Sequence, residues 1–507
     1  MGKTLWDMEI EHDTHAFDVF SAEQADLFTP TTQSPTAARQ ALYERFKTRI
    51  SHNPALDRTL VSFQANKKQP IFNWFAYREG FSAALVRYLL GKLHPQPGVL
   101  LDPFAGAGSA LFAASASGWD ALGVEVLPVG VYAMRGRAIA GRIDVSEFAE
   151  AIKRLDGVDF AAYYDGAYSL HHIAITRGAF PPEEERQLVG FIGYCQHVIR
   201  DEDVRALMLF AGFCILEEIS FTRKDGQYLR WDARSGRSQG KRPFHKGPLS
   251  PFRAALMAKV RQIAHDLGAG TAQRSLFGCE SEAEAFSLTA HTPTVHEGSS
   301  LTILPTLGAE SFDFVLTSPP YANRYDYTRT YALELVYLGY GEEKVKQLRQ
   351  AMLSCTVENR DKRAQLQSYY VSLGRQYDFD LIDATFHQQE ALQEVLGVLE
   401  AYRAQGKLNN ANITRLIHNY FYEMCFVIFE LARLLKPGGI IALVNDNVRY
   451  AGEEVPVDLI LSSFAESFHL TTRHIWTLGR GKGNSSQQMG AHGRTELRKC
   501  VYVWEKA

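Results

Sequence analysis

Val99-Leu-Leu-Asp-Pro-Phe-Ala-Gly-Ala-Gly-Ser109 is the stretch whose reading decides the fold. An apolar run stops at Asp-Pro, passes through a glycine-rich turn and enters the Ala-rich segment Ala110 to Gly118, which reads as strand, loop and helix. Asp120 to Val126 (DALGVEV) adds a second short apolar run ending in a carboxylate. The two runs and the helix make a βαβ unit, and with it a parallel sheet of Rossmann-like type. Glycines at 106 and 108 let the backbone approach a ligand without Cβ obstruction. A nicotinamide-type dinucleotide site would need G-x-G-x-x-G, and its third glycine position is Leu111 here. Glu125, at the end of the second strand, is placed to hydrogen-bond a ribose diol.

Outward from this unit the pattern changes. From Gly141 to His291 the periodicity is that of amphipathic helices, seen in Val145 to Leu155, Glu183 to Ile199 and Pro251 to Leu267. Sheet character resumes with Ser300 to Leu304 and with Phe312 to Thr317, which ends at Ser-Pro-Pro-Tyr because two prolines cannot continue a ladder. A second helical stretch runs from Leu333 to Leu435, closed by Lys436-Pro-Gly-Gly439 and a strand over Ile440 to Val444. Helix Val457 to Ser467, strand Leu470 to Leu478, a Gly/Ser/Gln loop and strand Lys499 to Trp504 complete the chain. The division expected is an N-terminal extension (1–70), a sheet domain (71–141 and 291–507), a helical insertion (142–290) and a second helical insertion (333–420).

Composition sets bounds on function. The 507 residues exceed one ordinary core, and 46% hydrophobic with 22% charged residues is the balance of a soluble globular chain. Lys plus Arg number 54 against 57 Asp plus Glu, which excludes a uniformly basic nucleic-acid coat, so any phosphate contact comes from a local patch. The six cysteines are scattered without a C-x-x-C pair, and His171 with His172 forms no metal constellation, so no metal is expected. The first thirty residues lack a signal pattern, and no apolar run has the length of a membrane span. A cytoplasmic protein without a membrane partner is the expectation.

Thr317-Ser-Pro-Pro-Tyr321 adds the second turn, and with it the chain closely resembles the DNA amino-methyltransferases. That family pairs a D-P-F-x-G-x-G turn for the cofactor with an [S/D/N]-P-P-[Y/F/W] turn for the target base. The resemblance covers roughly Phe72 to Arg137 and Glu297 to Trp504. It implies a class I Rossmann-like α/β methyltransferase with two helical insertions, using S-adenosyl-L-methionine. An exocyclic amine donates its lone pair into the ring, so it is a poor nucleophile until acceptors bind its hydrogens. Ser318 Oγ and the Pro319 carbonyl are the expected acceptors, Pro320 stiffens the loop, and Tyr321 offers a flat face to a base rotated out of the stack. Methylation at cytosine C5 would need a thiol, usually as Pro-Cys, and no Pro-Cys occurs. Ser at the first position of the turn is typical of N4-cytosine enzymes, whereas Asp or Asn is more usual for N6-adenine. RNA base methylation and a non-catalytic DNA-binding subunit are the further alternatives.

The resemblance also assigns residues. Asp102, Pro103, Phe104, Gly106, Gly108 and Ser109 form the cofactor turn, with Glu125 at the ribose and Val126 as a further cofactor contact. Arg78, in the aromatic segment Phe72 to Ser82, is the expected partner of the cofactor's carboxylate. Ser299 stands where many members carry an Asp for the adenine amine, a departure that bears on that contact. For double-stranded DNA, the stretch Arg223 to Lys246 holds eight Lys or Arg against two Asp, interleaved with Tyr228, Trp231 and Phe244. Arg223, Arg230, Arg234, Arg237, Lys241 and Arg242 are its candidates. Arg324 and Arg329, just after the catalytic turn, and Lys482, in the loop Gly479 to Arg494, complete the expected contacts. A restriction or defence-system partner fits the same context.

Overall fold

The computed structural model describes residues 36–164, 166–225, 228–238, 243–276, 292–478 and 497–507. Eight strands share one sheet: β1 (Ile50–His52), β2 (Val99–Asp102), β3 (Asp120–Glu125), β4 (Thr294–Glu297), β5 (Phe312–Thr317), β6 (Leu435–Asp446), β7 (Leu470–Thr477) and β8 (Lys499–Lys506). Their order across the sheet is β1-β7-β8-β6-β5-β2-β3-β4. All neighbours are parallel except the pairs that β8 makes with β6 and β7. From β2 the chain steps through β3 to β4 at one edge, and from β5 it steps through β6 toward the other. The direction reverses between β2 and β5, and the crevice outside the carboxyl ends at such a reversal is where open α/β sheets bind ligands.

Side chains alternate across the strands, as the period of two requires. Leu100, Phe314, Ala442 and Val503 enter the core on one face, while Leu101, Val315, Leu443 and Tyr502 enter the core on the other. The first face is covered by helices Ala83–Leu93, Ser109–Ala116 and Pro128–Ala138. The helices between residues 142 and 276 pack into that same core, with Phe213 4.9 Å from both Phe75 and Tyr132. The second face is covered by the 22-residue helix Ile413–Leu434 and by Val457–Ser467. Helix starts carry the expected chemistry: Asp144 accepts from Ser146 N at 2.8 Å and Glu147 N at 3.1 Å, and Asp201 accepts from Val204 N at 2.7 Å.

Phe312–Thr317, Val145–Leu155 and Val457–Ser467 have the bounds read from sequence. Ser300 to Leu304 does not form the expected strand. The strand is Thr294–Glu297; Gly298 then turns the chain at φ +159°, and Ser300–Ile303 is helical. Leu301 and Leu304 are buried three residues apart, the helical spacing, and a short apolar run is open to either reading. Among the described residues no helix is long and apolar enough to cross a membrane.

Residues 36–52 join the sheet rather than trail from it. β1 pairs in parallel with β7, and the preceding helix Ala37–Phe46 is anchored by Arg39. This arginine is 1% exposed; its Nε donates to Glu394 at 2.7 Å and its Nη1 to Glu453. Removing one partner of a buried, hydrogen-bonded charge set costs on the order of 3–5 kcal/mol. Arg39→Ala is therefore expected to lower the melting temperature clearly, measured by differential scanning fluorimetry. A melting curve that overlays the wild type would contradict this role.

Candidate active site

The site begins where β2 ends. Asp102 is buried, and its Oδ1 accepts from Phe104 N at 3.0 Å and from Thr317 Oγ1 at 2.7 Å. The second bond ties the end of β2 to the end of β5, the residue before Ser318. Between Asp102 and helix Ser109–Ala116 the chain turns through Gly106 (φ +53°) and Gly108 (φ +80°), a region that disfavours side chains. A Cβ at Gly106 would lie 3.0 Å from the Tyr77 ring, and one at Gly108 would lie 2.8 Å from Met134. The turn is also fixed from below: a Cβ at Gly130 would come within 2.3 Å of the Gly106 carbonyl oxygen.

Glu125 ends β3 beside this turn. Its Oε2 accepts from Gly106 N and its Oε1 from Leu127 N, both at 2.6 Å. Burial pushes its carboxyl up to about 7, against the two N–H donors that favour the charge. Burial likewise pushes Asp102 up to about 7, opposed by Thr317 and the Phe104 N–H. Arg137, fully buried, clamps the neighbouring segments by donating to the carbonyls of Ile71 (3.2 Å), Phe72 (2.9 Å) and Ala107. It thereby binds the aromatic segment to the glycine turn.

These groups open onto one pocket enclosing about 800 Å³ with its mouth. One wall is the turn, with Asp102, Pro103, Phe104, Gly106 and Ser109, continued by Glu125, Val126, Ser299 and Leu301. The Ser-Pro-Pro-Tyr turn contributes Ser318 and Pro320, and Tyr77, Glu79, Tyr327, Met352 and Leu353 close the remainder. Ser318 Oγ donates to the Tyr321 hydroxyl at 3.2 Å, so Tyr321 orients the serine and leaves its lone pairs as acceptors. Pro319, Tyr321 and Gly108 are not among the residues whose atoms line the pocket.

Two wall features and one buried clamp carried no sequence signal. Met352 and Leu353 are held by a buried network in which Lys362 Nζ donates to both Glu423 oxygens at 2.8 Å and Ser354 N donates to Glu423 at 2.7 Å. Glu79 accepts hydrogen bonds from the hydroxyls of Tyr325 and Tyr331. Arg137 stands 30 residues from its partner Ala107.

The expected cations take other partners. Arg78 donates to Glu217 at 2.9 Å and to the Lys224 carbonyl, and lies outside the pocket lining. Arg324 donates to Asn409 at 3.1 Å, and Arg329 pairs with Glu358 and Asp326, each at 3.2 Å. In the basic stretch, strands Thr222–Asp225 and Tyr228–Trp231 form an antiparallel pair. Arg230 pairs with Asp225 at 3.1 Å, Arg234 forks onto Asp232 at 2.8 and 2.9 Å, and Arg237 lies 3.6 Å over the Trp231 ring. Arg223 is exposed. Lys241, Arg242 and Lys482 lie outside the described residues.

The pocket joins the glycine turn and Glu125 to a second polar turn facing them. The relatives of the chain define its class as methyltransferase. The chain is 42% identical over 488 residues to the Type II methyltransferase M.AvaI of Nostoc sp. and to that of Anabaena variabilis, covering 96% of each chain. It is 38% identical over 496 residues to the Type II methyltransferase M.BsoBI of Geobacillus stearothermophilus, covering 94% of each. No family model and no solved structure matches the chain. Likeness of this degree over nearly the whole length places the chain in the Type II DNA methyltransferases, the methylating enzymes of restriction–modification.

The raised carboxyls have a consequence for stability. A native Glu125 that titrates near 7 still holds a proton that the unfolded chain has released at its ordinary value of 4.5. The folded state thus binds more protons across that window, and stability of the empty protein falls as pH rises through it. Melting temperatures taken at intervals from about pH 5 to about pH 7.5 are expected to decline, and to decline less in Glu125→Gln. Parallel profiles for the two proteins would remove Glu125 as a source.

Proposed function

We propose that the chain transfers a methyl group from S-adenosyl-L-methionine to the exocyclic N4 of cytosine within a specific sequence of double-stranded DNA, as the modifying partner of a restriction endonuclease in the cytoplasm. The observation that carries this reading is the meeting of Ser318 and Pro320 with the glycine turn and Glu125 in one pocket. The class I Rossmann-like assignment rests on the reversal of strand order between β2 and β5 and on the lone antiparallel strand β8.

The residues present fit the cofactor. Positive-φ glycines at 106 and 108 leave a turn free of Cβ atoms, Glu125 offers carboxylate lone pairs for a ribose diol, and Phe104, Val126 and Leu301 offer apolar surface for an adenine. S-adenosyl-L-methionine supplies a methyl group on a sulfonium, already activated for in-line displacement. The chain's own part is placement and charge. Ser318 Oγ and the Pro319 carbonyl accept the hydrogens of the target amine, which localises its lone pair. The Tyr321 hydroxyl holds the serine rotor in that role. No covalent enzyme intermediate is needed. Since a duplex hides the amine, the base has to leave the stack to reach Ser318.

Ser at 318, rather than Asp or Asn, favours cytosine N4 over adenine N6. A hydroxyl that already donates to Tyr321 is left to accept from the amine of either base, so the preference rests on the residue type alone. Nucleosides digested from the DNA of cells expressing the chain are expected to contain N4-methylcytosine by mass spectrometry, and Ser318→Ala to remove the mark. Binding of S-adenosyl-L-homocysteine should stay within about twofold in that variant, because the serine faces the base rather than the adenosine. N6-methyladenine would reassign the base, and the absence of both marks would move the reading to RNA or to a non-catalytic role.

A further inference from the structure

Glu79 lines the pocket, yet the mechanism above leaves it without a task. Its carboxylate accepts from two phenols, Tyr325 Oη on one oxygen and Tyr331 Oη on the other. Burial holds both phenols in the neutral, donating form. Two such donors stabilise a negative charge, and each carboxylate oxygen keeps a second lone pair. No cation among the described residues is ion-paired with it. Arg78, the preceding residue, turns to Glu217, while the Lys224 ammonium pairs with Glu334 and sits 4.5 Å above the Tyr331 ring. A carboxylate that takes two phenol donors in a pocket, with the neighbouring cations engaged elsewhere, is built to receive a cation from outside.

Its position says which one. Tyr77 stacks on Tyr331 with centroids 5.1 Å apart, and its ring edge is what a Cβ at Gly106 would strike at 3.0 Å. Both Glu125 and Glu79 oppose ionisation of the Tyr77 phenol, so the two acids share one pocket with this ring in reach of each. A ligand whose ribose sits at Glu125 and whose chain crosses the glycine turn brings its tail to Glu79. We infer that Glu79 is the acceptor for the α-ammonium of the methionyl tail, held in place by Tyr325 and Tyr331. The inference rests on the S-adenosylmethionine reading of the pocket. It also links the two turns, since Tyr325 lies four residues beyond Tyr321.

Isothermal titration of wild type and Glu79→Gln with S-adenosyl-L-homocysteine, and with its analogue lacking the α-amino group, tests this. A charged hydrogen bond of this kind corresponds to about ten- to hundredfold in affinity. Wild type is expected to bind the parent ligand tighter than the analogue by that factor, and Glu79→Gln to lose the difference while binding the analogue within about twofold of wild type. Should Glu79→Gln fail to fold, Glu79→Asp, which withdraws the charge by one methylene, is expected to weaken the parent ligand selectively. Equal weakening of both ligands, or undiminished binding of the parent ligand, would overturn the assignment. A folded wild type that binds neither ligand would instead remove the cofactor reading itself.

Discussion

Two carboxylates pin β2 against β5, one at each end, and the site depends on that pairing. At the amino end Asp313 accepts from Val99 N at 2.8 Å and from Lys436 Nζ at 2.8 Å. At the carboxyl end Asp102 accepts from Thr317 Oγ1 at 2.7 Å. Between them the ladder registers only Leu100 with Phe314 and Leu101 with Val315, so side chains supply much of what specifies the alignment. A slip by one residue would exchange the faces of every side chain on the strand and pull Ser318 away from the glycine turn. The topological reversal makes a crevice between these two strands, and the Asp102–Thr317 bond sets what faces across it.

Around this pair, buried charges hold the parts that cannot be held by regular structure. Arg137 satisfies carbonyls of the aromatic segment and of Ala107, and Glu423 with Lys362 fixes the Met352 wall through a fully hydrogen-bonded set. Glu125 does the same for the turn by taking the Gly106 N–H. Buried ions gain little net stability over apolar packing, but breaking one leaves an uncompensated charge, so each restricts its loop to one geometry. A turn fixed in this way needs little ordering when a ligand arrives, which favours binding without new contacts.

What was legible in the sequence was local. Gly106, Gly108 and the proline pair restrict the backbone by their own covalent structure, so both turns could be read where they stand. Phe312–Thr317 was legible because a short, mostly apolar run met prolines. Ser300 to Leu304 was not, because three apolar residues in so short a run satisfy either period and only Gly298 and the packing of Leu301 and Leu304 decide. The three residues of β1 carry too short a pattern to be seen. The Lys362–Glu423 pair spans 61 positions and the Arg137–Ala107 bond 30, and neither has any periodic trace. The role of Tyr321 was half legible: an aromatic at the turn was evident, but its hydroxyl on Ser318 required the folded loop.

The basic stretch shows why charge counted along a chain is not charge available to a ligand. Arg234 holds the Asp232 carboxyl well below the usual range, and its fork already meets both oxygens and the Gly247 carbonyl. Arg237 lies over Trp231 and donates to the carbonyls of Ala174 and Arg177. Lys224 is buried against Glu334, and Lys246 donates to the carbonyls of Glu217 and Ser220. A guanidinium engaged in this way gives up existing bonds to reach a phosphate, so it releases less free energy, and contributes less to salt dependence, than one held only by water. These side chains therefore act first as struts, joining the antiparallel pair to the helices and, through Arg78 and Lys224, to the pocket wall beside Glu79. Arg223, whose side chain is exposed on the strand Thr222–Asp225 while Lys224 beside it is buried, stands on the outer side of that pair.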